Sequence, residues 1–263
     1  VTRIAACIEY DGTAYSGWRR QGHIHNTVQE KLELALSSVA NESIIAQCAG
    51  RTDKGVHATM QVVHFDTQAA RAERSWIRGT NTLLPDDIAV KWVKNVDDDF
   101  HARFSATGRQ YHYVIDNSPI DSGAVNRHRV TWDYRPLDIE RMQEAGNFLL
   151  GEHDFTSFRA AACQSKTPVK TIRRLEFEKR GDFIILVIEA NAFLHHMVRN
   201  IVGVLTAIGA GERDISWCQE VLKARDRRAG EVTAKPHGLY LTRVDYPDVF
   251  QLPETRSGII LLS

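Results

Sequence analysis

One ordering of patterns constrains this chain more than any other feature. Between residues 3 and 96 it reads strand, helix, strand, strand, helix, strand. Residues 3–10 form a largely apolar run of strand length. Thr27-Val28-Gln29-Glu30 has capping-box spacing, and Val28, Leu32, Leu36 and Val39 then recur at near-helical intervals to about Ala40. Residues 43–49 and 58–67 read as strands, 71–84 as a helix stopped before Pro85, and 88–96 as a strand. The order then returns. Residues 103–116 read as a long strand, and Asp138 opens a helix carrying Met142, Ala145 and Leu149. Residues 174–177 and 183–190 make a hairpin around 179–182. A helix over 195–208 presents Val198, Ile201, Val202 and Leu205, a further helix covers 217–225, and 238–244 is the closing strand. Each half thus has the βαββαβ order of the ferredoxin-like split motif, with no repeat at residue level. The expected fold is α+β: two ferredoxin-like (RRM-like) halves, 1–99 and 100–247, with antiparallel sheets joined across a central cleft. The expected seam lies at the acidic run 97–101. A tail, 248–263, ends in the short apolar stretch Ile259 to Leu262.

Composition narrows the class without naming a partner. At 43% hydrophobic and 25% charged the chain suits a soluble globular protein. Lys+Arg and Asp+Glu are equal at 33 each, so any charged partner must be met by local clusters. Candidates are Arg19-Arg20, then Arg71, Arg74 and Arg78, then Lys166, Lys170, Arg173 and Arg174, then Lys223, Arg225, Arg227 and Arg228. Each can equally be a solvated face. Cys7, Cys48, Cys163 and Cys218 are scattered, and the first two read as buried thiols. That usage predicts no disulfide scaffold and a reducing compartment. No apolar stretch resembles a signal peptide or a membrane span, so a cytoplasmic location is expected.

The chemistry concentrates in Gly50-Arg51-Thr52-Asp53-Lys54-Gly55-Val56-His57-Ala58. Asp-Lys-Gly between apolar runs is ordinary turn chemistry. Arg51 is not required by the turn, and a permanent cation near Asp53 favours its ionised form. A charged carboxylate on a rigid turn suits a nucleophile or general base, while a solvated hairpin tip explains the turn equally well.

Four more segments stand out. Residues 10–21, YDGTAYSGWRRQ, interleave aromatics and arginines, which stack on bases and neutralise phosphates, or else simply pin a surface loop. FHARFSA at 100–106 runs into Arg109-Gln110-Tyr111-His112-Tyr113, where strand alternation puts both tyrosines on one face, as core residues or as a stacking surface. In Phe193-Leu194-His195-His196-Met197-Val198-Arg199-Asn200, Arg199 needs a partner or an exit to water. The adjacent histidines diverge by about 100° if helical and would not easily share an ion. Residues 234–241 enter the last strand and carry Leu239.

Together these segments resemble the tRNA pseudouridine synthase A family. The matching pieces are YDGTAYSGW, GRTDKGVHA, FHARFSATGRQYHY, HDFTSF at 153–158, FLHHMVRNIVG and the Ala-x-Pro-x-Gly-Leu-Tyr-Leu stretch, in family order from residue 10 to 241. Lys235 and His237 stand where the family often has less polar residues. The resemblance implies isomerisation of uridine to pseudouridine at positions 38, 39 and 40 of the tRNA anticodon stem-loop. It implies no cofactor and no metal, and a homodimer that holds tRNA jointly. By the same resemblance Asp53 is the catalytic aspartate, Tyr111 the active-site tyrosine, Arg199 its basic partner, and Arg51 and Leu239 pocket-lining residues. Two rival functions share part of this pattern. A non-catalytic RNA-binding protein with two RRM-like sheets accounts for element order but not for Arg51, Asp53 and Arg199. An Asp-dependent N-glycosidase would break the same bond and release uracil.

Overall fold

The strand at the centre of the first half, β1 (Thr2–Tyr10), is buried continuously from Ile4 to Ile8, so both of its faces are covered there. The computed structural model describes residues 1–20, 22, 26–120 and 123–255. The apolar tail end and part of the 11–26 loop therefore lie outside the described residues. Two compact units emerge: residues 1–107 with 240–263, and residues 108–239.

In the first unit β1 is followed by α1 (Val28–Ala40), β2 (Gln47–Cys48), β3 (His57–Thr67), α2 (Glu73–Leu83) and β4 (Ile88–Val96). The strands pair antiparallel in the order β4-β1-β3-β2. The Thr27 side chain caps α1 by accepting from the Glu30 amide at 3.3 Å. Glu30 reaches back one residue further than the capping-box pattern predicts, to the Asn26 amide at 2.9 Å. Val28, Leu32 and Leu36 are buried as their spacing requires. The expected strand 43–49 shrinks to two residues for a specific reason. The Ile44 amide donates to Ser37 Oγ and the Ala46 amide to Glu33 Oε1, so side chains of α1 take the bonds a longer ladder would use.

The second unit contains β5 (Gly108–Asp116), β6 (Thr131–Trp132), α3 (Ile139–Asn147), β7 (Gly151–Asp154), β8 (Val169–Arg180), β9 (Phe183–Ala190), α4 (Met197–Gly209) and α5 (Trp217–Ala224). Its antiparallel sheet runs β5-β9-β8-β7, with β6 in parallel beside β5. The hairpin strand β8 begins five residues earlier than expected, and the polar strand β7 was not expected. The last strand, β10 (Leu239–Asp245), departs most from expectation. Its residues from Tyr240 onward belong to the first unit, where Tyr240 and Leu241 pair in parallel with His57 and Ala58 of β3. The boundary falls at 107/108, where β5 begins, and residues 102–105 turn instead of extending that strand back.

All four cysteines are free. Burial pushes the Cys7 and Cys48 thiols up to about 12, although Cys48 as a residue is only half-buried. Among the described residues no helix is long and apolar enough to cross a membrane.

His64 on β3 is expected to make the first unit acid-sensitive. The residue is 2% exposed and its Nδ1 accepts from the Ala102 amide at 3.1 Å. Burial, then the fields of His101 and Arg3, lower its pKa to about 4. In the unfolded chain a histidine protonates near about 6.5, so the unfolded state binds more protons between those values. The stabilisation is therefore complete above the unfolded value and is lost as pH falls through the window. A loss on the order of 1–3 kcal/mol is expected between pH 7.5 and 4. Urea unfolding at several pH values checks this, since His64→Gln should flatten the dependence.

Candidate active site

The loop carrying Asp53, residues 49–56, is tied down at nearly every step. Gln61 of β3 clamps Gly50, donating to its carbonyl at 2.6 Å and accepting from its amide at 3.4 Å. Tyr10, placed by a bulge at the end of β1, shares a 2.7 Å hydroxyl bond with Thr52, and the Trp18 amide donates to the Thr52 carbonyl at 3.0 Å. The Val56 amide then donates to the Asp53 carbonyl at 3.1 Å, closing a turn whose third residue is Gly55 at φ +78°. Only glycine takes that backbone conformation without strain. Asp53 is half-buried between buried Thr52 and Gly55, so it is not a fully solvated tip.

The neighbouring loop fits against this turn without slack. A Cβ on Gly12 would lie 1.9 Å from the Val56 carbonyl oxygen. His57 Nδ1 faces the Gly12 amide at 3.0 Å and Asp11 at 3.1 Å, and its ring stacks on Tyr240 at 4.6 Å. The His57 ring, and after it the Thr13 donors, hold the Asp11 carboxyl well below the usual carboxylate range. Tyr10, Tyr15 and Trp18 are all buried. The aromatics of 10–18 are thus pins of the loop, and the stacking alternative for them is excluded.

The arginines of this region are exposed. Arg19, Arg20 and Arg51, with Gln29, Glu33 and Ile45, line a pocket of about 330 Å³. Arg20 lies 3.8 Å from Glu33. No ion pair between Arg51 and Asp53 occurs among the described residues, so any influence of this cation on the carboxylate acts through its field. Partial burial, then the fields of Arg19 and Arg103, push its guanidinium below the ordinary arginine value.

The other expected residues lie in the second unit. Tyr111 on β5 is buried and meets Phe193 edge-on at 5.1 Å. Tyr113 is the core tyrosine of the pair. Its hydroxyl meets Thr131 Oγ1 and donates to the Lys235 carbonyl, both at 2.7 Å, and burial raises its phenol pKa. Arg199, half-buried on α4, donates from Nε to the Ala234 carbonyl at 2.8 Å, while the Ala234 amide returns to the Arg199 carbonyl at 3.1 Å. Sequence reasoning missed the strap around it. Arg227 donates to Asn200 Oδ1, the Glu231 carbonyl and Thr233 Oγ1, holding the segment that leads to Leu239. No local pattern signals that strap. His195 and His196 precede α4, with His196 at φ 61°, and their rings lie 4.0 Å apart, so the divergence expected on a helix does not occur.

A family model described as tRNA pseudouridine synthase matches residues 6–105 and 145–247. The tRNA pseudouridine synthase A of Pseudomonas aeruginosa is 57% identical over 263 residues, covering 100% of this chain and 92% of that protein. Those of Actinobacillus succinogenes and Alcanivorax borkumensis are 55% and 53% identical, each covered over 98% of its length. A solved Cbf5-Nop10-Gar1 complex aligns with 90% of this chain and 48% of its own at 10% identity, with a TM-score of 0.37.

Proposed function

Because this chain belongs to the tRNA pseudouridine synthase family and is an isomerase of tRNA uridine, we propose that it acts in the anticodon stem-loop, at positions 38, 39 and 40, with Asp53 as its reacting carboxylate. The observation carrying this reading is the hydrogen-bonded turn that presents Asp53 half-buried within GRTDKGVHA. The isomerisation must break C1′–N1, turn the uracil, and bond C5 to C1′. A carboxylate can attack C1′ to give an ester or remove the 2′ proton to give a glycal, and the same fixed loop serves either step. Tyr111 stacks on the uracil while it turns, and Arg199 orients and balances charge. Arg51 and Leu239 line the nucleoside's surroundings.

Extruding the uridine from its stack costs a few kcal/mol, which phosphate contacts by the surface arginines offset. The reading includes a cytoplasmic homodimer and two ferredoxin-like halves. The β4-β1-β3-β2 order of the first unit supports the latter. The test is tRNA carrying C5-tritiated uridine, with pseudouridine mapped afterwards. Tritium release with the base retained at 38–40 is expected; modification confined to other positions contradicts the site assignment, and free uracil contradicts isomerisation.

Arg199→Ala is expected to lower turnover at least about 100-fold. Its bond to the Ala234 carbonyl also goes, so circular dichroism should accompany the assay. Turnover within threefold of wild type in a folded variant would remove Arg199 from the mechanism.

A further inference from the structure

Phe104 is 76% exposed, yet its backbone is fixed in a closed turn and its ring lies against an imidazole. The His101 and Ser105 backbones and the Ser105 hydroxyl close the turn with two 2.9 Å bonds. His101 Nδ1 accepts the amides of Arg103 and Phe104 at 3.1 and 3.2 Å. With Nδ1 accepting, Nε2 is the protonated nitrogen and donates to Gln47 Oε1 at 3.0 Å. The Phe104 ring rests on the His101 ring at 4.3 Å, and His101 rests on buried His64 at 4.5 Å. The Arg103 guanidinium lies 5.5 Å from the Phe104 centroid.

An aromatic ring on a fixed backbone, with a neighbouring ring against it, loses less freedom on binding a flat ligand than one on an open loop. The surrounding charge narrows the ligand further. Arg51 feels the fields of both Arg103 and Arg19, and no carboxylate among the described residues is ion-paired with Arg19 or Arg51. Burial keeps the nearby Cys48 thiol neutral, so it does not offset them. A ligand that combines planar faces with regularly spaced negative charge answers both features, and single-stranded nucleic acid is that ligand. An apolar protein surface would leave the arginines uncompensated.

We propose that Phe104 is a stacking platform for one unpaired base of the substrate RNA, with Arg103, Arg51 and Arg19 receiving the adjoining phosphates. The proposal rests on the reading of tRNA as substrate, but not on Asp53 as the reacting group, because its test reads binding alone. Equilibrium titration of the full-length protein with an unmodified tRNA transcript is the measurement. Phe104→Ala and Phe104→Leu should each weaken binding at least about fivefold, and Phe104→Trp should stay within twofold. Arg51→Ala should lower the slope of log Kd against log salt by about 1, whereas Phe104→Ala should leave that slope unchanged. Binding by Phe104→Ala within twofold of wild type would overturn the proposal. So would restoration by leucine, which would mean an apolar contact without stacking. A loss of affinity accompanied by a smaller sedimenting species would also overturn it, making the ring a contact between protein subunits.

Discussion

Gly12→Ala is expected to destabilise the first unit by about 3 kcal/mol or more and to disable the enzyme that still folds. The added carbon would lie 1.9 Å from the Val56 oxygen, 2.7 Å from its carbonyl carbon and 3.2 Å from its nitrogen. All three atoms are backbone, so no side chain can swing away. The loop around Gly12 is held on its own side by the Asp11 amide to the Asp87 carbonyl and by Tyr15 to the Gly12 carbonyl. Something must therefore give. If the 10–15 loop lifts, the contacts of Gly12 and Asp11 with His57 are lost. If Val56 moves instead, it carries with it the bond that positions Asp53. The thermal midpoint should fall by roughly 6–12 °C, on a scale of about 2–4 °C per kcal/mol for a chain of this size. At a temperature where the variant is fully folded, turnover should still be reduced at least tenfold. A midpoint within 2 °C of wild type would show that the two loops can separate freely.

Local signals were read correctly from the chain wherever the structure satisfies them locally. Thr27 caps α1, Leu32 and Leu36 face inward, and Gly55 supplies the positive φ of the Asp53 turn. Features decided by distant partners were not legible. Residues 43–46 look like strand, but Ser37 and Glu33 claim two of their amides. The β7 sequence, Gly-Glu-His-Asp, has no apolar alternation and becomes a strand only through its pairing with β8. The association of residues from Tyr240 with the first unit rests on a parallel pairing across more than 180 positions. Aromatic residues were the most ambiguous. Trp18 and Phe104 both sit among arginines in loops, yet one is 1% exposed and the other 76%. Packing alone separates them. Arg199 was recognised as needing a partner, but the carbonyl it uses lies 35 residues away and gives no pattern. The family itself was legible because its motifs combine the turn and packing residues that build the Asp53 loop with the charged groups placed on it.

Asp53→Asn is the substitution with the largest expected effect on chemistry. The amide keeps the shape of the side chain and leaves untouched the backbone bonds that close the turn, so the loop should persist. What disappears is the negative charge and the oxygen able to attack carbon or take a proton. Turnover should fall at least about 10³-fold, equivalent to about 4 kcal/mol of transition-state stabilisation. Affinity for tRNA should remain within about threefold, because one aspartate contributes little beside many phosphate contacts. The most direct measurement is single-turnover tritium release from C5-labelled tRNA with Asp53→Asn enzyme in saturating excess. The prediction is no release above an enzyme-free control during the time in which wild type finishes; release within tenfold of the wild-type rate would show that another group carries the reaction.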